Sequence, residues 1–239
     1  MKTVVVTGVS RGLGLAIAKR IAKEGYNVVG VSRNKSELYQ ELMSALPGLV
    51  EFQPLDLSNI EAIASVAREI IKTSGPIYGL VNNAGIGLDG VLATMHQTDI
   101  DRVVRTNLLA PIVLTKYIMR SMLSKSEGRI INISSIIAST GFHGLSVYAA
   151  TKAGLEGFTR SLSREAGKRN VTVNCVAPGY IETEMTAGLQ GEKLESVRRR
   201  APLGLPHPEH VAAAVSYLLQ PEACTVTGTV LTVDGGSTA

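Results

Sequence analysis

Tyr148 and Lys152 stand four residues apart in Tyr148-Ala149-Ala150-Thr151-Lys152, a stretch of helical character. That spacing puts their side chains one turn apart on the same face. A free tyrosine titrates near ~10, and donating a proton efficiently at neutral pH asks for a lowering of ~3 units, or ~4 kcal/mol of preferential stabilisation of the phenolate. A neighbouring ammonium supplies an effect of that sign. Thirteen residues before the tyrosine, Ile131-Asn132-Ile133-Ser134-Ser135 closes a β-branched run, and a hydroxyl at a strand end can hold the oxygen of a reacting group. Together these residue types suit proton transfer to or from an oxygen. A Tyr-x-x-x-Lys pair is common by chance, so the elements around it must decide.

The first of those elements is a glycine-rich turn. A β-branched run ends in Thr7-Gly8-Val9-Ser10-Arg11-Gly12-Leu13-Gly14, and a helix is expected to begin near Leu13. Glycines let such a turn pass close beneath a pyrophosphate, while the helix N-terminus offers unpaired N–H groups and a positive dipole end. The spacing is Gly-x-x-x-Gly-x-Gly rather than the commoner Gly-x-Gly-x-x-Gly, and a tight strand-to-helix connection is the bland alternative. In an NAD site, the end of the second strand carries an acid for the ribose hydroxyls. Here it reads Val29-Gly30-Val31-Ser32-Arg33-Asn34. Ser32 and Arg33, with Arg11 on the other side, are suited to hydrogen-bond and neutralise a 2′-phosphate, which points to NADP(H). Asp56-Leu57 and Asn82-Asn83-Ala84-Gly85 follow the third and fourth runs, where open α/β sheets bind ligands. Asp56 has a second reading, as the cap of the helix that starts near Asn59.

Seven short β-branched runs recur with helical stretches between them: 2–7, 27–31, 50–54, 77–81, 129–133, 171–176 and 229–233. Several are continuously apolar, as strands covered on both faces are. Leu13, Ile17, Ile21 and Ala22, and likewise Ile60, Ile63, Val66, Ile70 and Ile71, fall at helical spacing and read as core stripes. The fold expected is α/β, a Rossmann-type doubly wound, seven-stranded parallel sheet with helices on both faces. At 239 residues, with 45% hydrophobic and 18% charged, one domain over 1–239 is the default, and a disordered or coiled-coil chain is excluded. The stretch from Gly179 to Pro208, with Pro202, Pro206 and Pro208, reads as a flexible flap, most of all over 183–208. A first strand beginning at Lys2, no apolar run near ~18 residues and only Cys175 and Cys224 point to a reducing, cytoplasmic setting without membrane contact.

These motifs, in this order, resemble the short-chain dehydrogenase/reductase family over essentially the whole chain. The resemblance rests on the Thr7–Gly14 loop, Asp56, Asn82 to Gly85, Asn107, Ser135, Tyr148 with Lys152, and Pro178-Gly179. It implies that Ser135, Tyr148, Lys152 and Asn107 form the catalytic set. Tyr148 would protonate the alkoxide as NADPH delivers hydride, Ser135 would stabilise the same charge, and Lys152 would keep Tyr148 acidic and grip the nicotinamide ribose. Asn107 would hold a water in the relay to Lys152. Ser135 is preferred to Ser134 because its separation from Tyr148 matches the family's, and because successive strand residues face opposite sides. Pro178, Gly179, Ile181 and Thr183 would contact the nicotinamide carboxamide.

Within that family the chain is most similar to 3-oxoacyl-acyl-carrier-protein reductases, through Asn82 to Ile86, Asn174 to Met185 and Val233-Asp234-Gly235-Gly236. The likeness implies an acyl thioester substrate, an acidic acyl carrier protein as partner, and a homotetramer built on helices near 97–124 and 147–168. Arg169 occupies one expected basic position. Ser126, with Lys125 beside it, and Gly87-Leu88-Asp89 depart from the pattern. Ala138–Leu145 and Thr186–Arg200 would border the substrate, with His143 a loop residue. His96, His207 and His210 lack ligand-like spacing, so no metal is expected. Arg198, Arg199 and Arg200 read as a solvated helix face or a binding patch. Dehydrogenation of another alcohol or polyol, and a non-catalytic NADP sensor, are the rival readings. With aromatics at 4% and scattered basic residues, nucleic-acid binding is disfavoured.

Overall fold

The β-branched runs become strands because their side chains are covered on both faces by helices. In the computed structural model, which describes residues 1–182 and 191–239 apart from the side chain of Lys193, they are β1 (Thr3–Thr7), β2 (Asn27–Ser32), β3 (Val50–Pro54), β4 (Ile77–Asn82), β5 (Gly128–Ile133), β6 (Val171–Pro178) and β7 (Val230–Val233). All pair in parallel, in the order β3-β2-β1-β4-β5-β6-β7. All seven expected strands are present, and β6 runs two residues further than expected, to Pro178. The order in which strands are added reverses between β1 and β4, so a crevice opens beyond their carboxyl ends, where Thr7 and Asn82 lie.

Adjacent residues of β1 divide the core into its two layers. Val4 and Val6 pack with α1 (Gly12–Lys23) and α9 (Pro208–Leu219). Val5 packs with α3 (Ile60–Ser74), α5 (Ala110–Lys125) and α7 (Ser146–Ala166) on the other face. Ile17 and Ile21 of the first expected stripe, and Ile63 and Ile70 of the second, are buried. The remaining helices are α2 (Glu37–Ala45), α4 (Gln97–Val104), α6 (Ile137–Thr140) and α8 (Glu192–Arg199). The long helix expected near 97–124 is α4 and α5 joined by a π turn at Arg105–Leu109. The irregular stretch expected from Gly179 to Pro208 contains α8, whose first turn carries Glu192 and Glu195 and whose last turn carries Arg198 and Arg199, charges that complement the helix dipole. Residues 183–190 of the expected flap lie outside the described residues.

A row of buried polar side chains crosses three strands just below the crevice. Asn82, Asn132 and Cys175 are register partners on β4, β5 and β6. Asn82 Nδ2 donates to Asn132 Oδ1 (2.8 Å) and to Thr115 Oγ1 (3.0 Å). Asn132 Nδ2 donates to Thr159 Oγ1 (2.8 Å), which lies 3.1 Å from Cys175 Sγ. The row ties β4 and β5 to α5 and α7, and burial lifts the Cys175 thiol to about 11. Asn132→Leu leaves Asn82 and Thr159 short of partners in a dry environment and should destabilise the protein by about 2–4 kcal/mol in urea unfolding; a change within about 0.5 kcal/mol would refute the structural role of the row.

Candidate active site

The glycine turn is shaped by what lies against it. Gly8 (φ +75°) donates its N–H to Val31 O (2.7 Å). A Cβ on Gly14 would fall 2.1 Å from Gly8 O, and one on Gly8 would fall 2.8 Å from Asn83 Nδ2. Asn83 stitches β4 to this turn, donating from Nδ2 to Thr7 O (2.8 Å), while Thr7 Oγ1 accepts from the backbone N–H groups of Asn83 and Ala84, both at 3.0 Å. The Thr7 hydroxyl is a functional group that sequence reading missed, having treated Thr7 only as the start of the loop. A hydroxyl as the last residue of a buried strand was the available signal.

Helix α1 starts at Gly12, one residue before the expected Leu13. Its N-cap, Arg11, provides no side-chain cap and its first turn holds no acid. By contrast, Ser36 caps α2 and Asn59 caps α3 through their side chains. Among the described residues the N-cap side chain of α1 therefore does not take its N-terminal amides, as an anion seat requires.

Around the end of β2 the expectations need two corrections. Ser32 is buried, and its hydroxyl donates to Asn34 O (2.9 Å), so its single proton holds the turn rather than facing outward. Asp56 is not the cap of α3, because Asn59 Oδ1 takes the Ala62 N–H. Asp56 instead accepts the Ser58 N–H (2.9 Å) and hydroxyl (2.8 Å). Partial burial pushes its carboxyl up, but these two bonds, with Arg33 and Arg102 nearby, hold it below the ordinary range. Arg33 and Arg11 are both exposed, Leu57 is buried, and the Ser10 carbonyl accepts from Ser36 Oγ.

The chain leaving β5 lies against the first turns of α7. The Ser135 hydroxyl neighbours the Tyr148 phenol; burial pushes the phenol above its ordinary pKa and this neighbour draws it part of the way back. Lys152 is 4% exposed, with Nζ donating to Ile133 O (2.8 Å) and lying 5.5 Å from the centre of the Tyr148 ring. Burial pushes its ammonium down to about 8. The expectation that Lys152 acidifies Tyr148 is therefore not met in this geometry, because the amine is itself desolvated and turned towards a carbonyl. Strand alternation does not separate Ser134 from Ser135, because β5 ends at Ile133; the Ser134 hydroxyl meets Lys152 O and Glu156 Oε1 of α7.

Asn107 is wholly buried in the π turn. Its Oδ1 accepts from Ile86 N and its Nδ2 donates to Ile86 O, both at 2.8 Å. This clamp fixes the segment after Asn83-Ala84-Gly85, and a Cβ on Gly85 would sit 3.4 Å from Asn107 Oδ1 and 3.6 Å from Lys152 Nζ. The side-chain amide is thus engaged with the Ile86 backbone, with Nδ2 also 3.5 Å from Thr151 Oγ1. A π turn, however, leaves backbone carbonyls out of the regular ladder, and such turns recur at functional sites.

On the far side of the crevice Pro178 ends β6, and Gly179 N donates to Val233 O (2.9 Å). A Cβ on Gly179 would strike Asp234 at 2.8 Å. Asp234 is braced by Gly236 N, Ser237 Oγ and the N–H and hydroxyl of Thr238. Ile181 is buried at the same edge. Thr183 lies outside the described residues, as do Met185 and the first part of the expected Thr186–Arg200 border.

Away from the crevice, Arg198 pairs with Glu182 (2.7 Å) and Glu195 (3.0 Å), and Arg199 and Arg200 are exposed, which favours the solvated helix face. His207 and His210 cap the start of α9 with each other. Among the described residues, no group of three His, Cys, Asp or Glu is placed to hold a metal ion. Arg169 donates to Leu123 O, beside Lys125. It lies beyond the C-terminal end of α7, roughly 30 Å along the axis from Tyr148.

A glycine turn after β1 and a serine, tyrosine and lysine beyond the end of β5 lie at the same carboxyl edge of the sheet. Residues 2–193 match the short chain dehydrogenase family. The chain belongs to that family. It is 41% identical, over 98% of its length and 96% of the relative's, to a Vibrio cholerae protein named 3-oxoacyl-[acyl-carrier-protein] reductase FabG. It is 44% identical to carbonyl reductase family member 4 of Danio rerio, over 97% and 96% of the two chains. A crystal structure from Beutenbergia cavernae, described as an NAD(P)-dependent gluconate 5-dehydrogenase with bound NADP, superposes with a TM-score of 0.94 at 34% identity, covering 99% and 96% of the chains. The chain is thus an oxidoreductase of this family using a nicotinamide cofactor, and the first turn of α1, which carries no acidic residue, suits that group's phosphate charge.

The depressed ammonium has a measurable consequence. In the unfolded chain Lys152 keeps its proton to about 10.5, whereas in the fold it loses it near 8. Between these values the unfolded state binds more protons, so stability should rise with pH. Relative to Lys152→Met, the cofactor-free protein should gain on the order of 2–3 kcal/mol between pH 7.5 and 10. Urea unfolding of both across that range checks this; parallel curves would show that Lys152 is not desolvated.

Proposed function

We propose that the chain reduces a ketone to a secondary alcohol with NADPH, and that its substrate is a 3-oxoacyl thioester, converted to the 3-hydroxyacyl thioester in fatty acid synthesis. The observation that carries the reading is the meeting of the Ser135 hydroxyl with Tyr148, one turn from a buried Lys152 whose amine donates to Ile133 O, beyond the end of β5. Bound NADPH supplies the hydride that the carbonyl carbon accepts. Ser135 and Tyr148 receive the carbonyl oxygen between their hydroxyls, and the raised phenol arrives protonated, which is the form that donates. As charge develops on that oxygen, Tyr148 gives up its proton to an alkoxide far more basic than a phenolate, while Ser135 keeps a hydrogen bond on it. Lys152 is placed to hold the ribose, and Asn107 keeps the Ile86 segment beside that amine.

NADPH is preferred to NADH because the turn after β2 offers no carboxylate to repel a 2′-phosphate and carries Arg33, with Arg11 across the loop. Arg33→Ala should weaken NADPH binding at least about tenfold while leaving NADH binding within about twofold, read by nucleotide fluorescence titration. Equal losses for both nucleotides would remove Arg33 from 2′-phosphate recognition.

The thioester substrate is supported by the reductase relatives, and a sugar acid or polyol by the Beutenbergia neighbour. NADPH oxidation with an acetoacetyl thioester, set beside 5-ketogluconate and simple ketones, separates them: thioester turnover at least about tenfold above the others supports the acyl reading, and the reverse order sinks it. NADPH binding without turnover of any carbonyl would leave the sensor. Tyr148→Phe should bind NADPH normally yet lose at least about a hundredfold in turnover; near-normal turnover would overturn the role given to the phenol.

The proposed assembly is a homotetramer, supported by Val104 and Leu109, each 38% exposed on the helical run from 97 to 125. An acyl carrier protein docked at Arg169 would not sit over the site of the same chain. No helix among the described residues is long and apolar enough to cross a membrane, and a cytoplasmic setting is proposed because Cys175 and Cys224 are both free thiols.

A further inference from the structure

Positions 148, 152 and 156 recur every fourth residue and share one face of α7. Each meets the chain as it leaves β5. Tyr148 neighbours Ser135, Lys152 Nζ donates to Ile133 O (2.8 Å), and Glu156 Oε1 accepts from Ser134 Oγ (2.8 Å). Ser134 Oγ also lies 3.3 Å from Lys152 O, so one hydroxyl touches both the second and the third rung.

The third rung has no part in the chemistry described above, yet it is costly to bury. Ser134 is 2% exposed and the Glu156 side chain 15%. A carboxylate so covered requires a hydrogen-bonding partner. Arg160 Nη1 stands 4.0 Å from Glu156 Oε2 on a largely exposed side chain, which makes it a weak partner. The Ser134 hydroxyl is the close one, in a charge-assisted bond of roughly twice ordinary strength. Ser134 is covalently next to both Ile133 and Ser135, and its own N–H is held by Val176 O (2.8 Å). Whatever slides Ser134 along α7 therefore moves the carbonyl that holds Lys152 and the hydroxyl that meets Tyr148, and a misplacement of ~1 Å in such a site costs on the order of a hundredfold in rate.

We propose that Glu156 is a positioning residue for the reaction, acting through Ser134 to lock the end of β5 in register with Tyr148 and Lys152 on α7. This rests on the reading of Ser135, Tyr148 and Lys152 as the catalytic set.

The test combines kinetics with a signal that needs no turnover. Ser134→Ala, Glu156→Ala, Glu156→Gln and the Ser134→Ala/Glu156→Ala double variant are assayed for kcat and for the KM of NADPH. In parallel, the resonance of Tyr148 is followed in carbon-13 tyrosine-labelled, cofactor-free protein, assigned by its loss in Tyr148→Phe. The two alanine variants should each lower kcat about tenfold or more with the KM for NADPH within about threefold, and both should shift the Tyr148 resonance. The double variant should be no worse than the poorer single one, as members of one contact are. Glu156→Gln, which keeps an acceptor for Ser134, should recover most of kcat. Unchanged kcat in both alanine variants, additive losses in the double, or a still Tyr148 resonance would overturn the proposal. If the wild type turns over no carbonyl, the assigned function fails while the resonance alone still decides this inference: moved alike by all three alanine variants it stands, and unmoved it falls. Should Glu156→Ala not fold, Ser134→Ala and Glu156→Gln carry the same decision.

Discussion

The contact between α7 and the last residues of β5 is the constraint on which the rest of the site depends. A buried ammonium on Ile133 O is a strong bond in a dry place, and it exists only where helix and strand meet at one register. The buried row from Thr115 through Asn82 and Asn132 to Thr159 fixes the same register from below, since Asn132 sits on β5 and Thr159 on α7. An apolar interface alone would tolerate small slides; directional polar contacts above and below it do not.

The cofactor side obeys a second constraint, the closeness of β1 and β4 at the point where the sheet reverses. Thr7 accepts three hydrogen bonds across it, two from Asn83 and one from Ala84, and the glycine turn fits because Gly8 and Gly14 have no side chains to fill the gap. With its first turn uncapped by the Arg11 side chain, α1 leaves donors for a phosphate at that mouth. The two constraints meet at Gly85, which sits between the Asn107 clamp and the Lys152 amine. The nucleotide cradle and the proton-transfer set are thus coupled through one short segment of backbone.

The layered fold was legible because β-branched runs and apolar helical stripes are local signals, and Val4, Val5 and Val6 show how an unbroken run feeds two cores at once. The positions of Ser135, Tyr148 and Lys152 were legible because strand end and helix turn are also local. Their electrostatics were not: burial decides the direction for both Tyr148 and Lys152, and burial is a property of the whole fold. Neither was the π turn around Asn107, which shows no residue signature, nor the occupied proton of Ser32 and the turn-holding role of Asp56, both settled by contacts two residues away. Glu156 read as an ordinary helix residue because its partner, Ser134, lies 22 positions back in the chain.

The central claim is that a carbonyl carbon is presented to the nicotinamide while its oxygen is held by Ser135 and Tyr148. Turnover of a ketone with NADPH carrying deuterium at the transferable position of the nicotinamide, followed by mass spectrometry of the alcohol, tests it most directly. The account predicts one deuterium per product, bonded to the new carbinol carbon, and none at that carbon when the label is placed in the solvent instead. Alcohol whose carbinol hydrogen comes from solvent would contradict direct hydride transfer and, with it, the arrangement of the site described above.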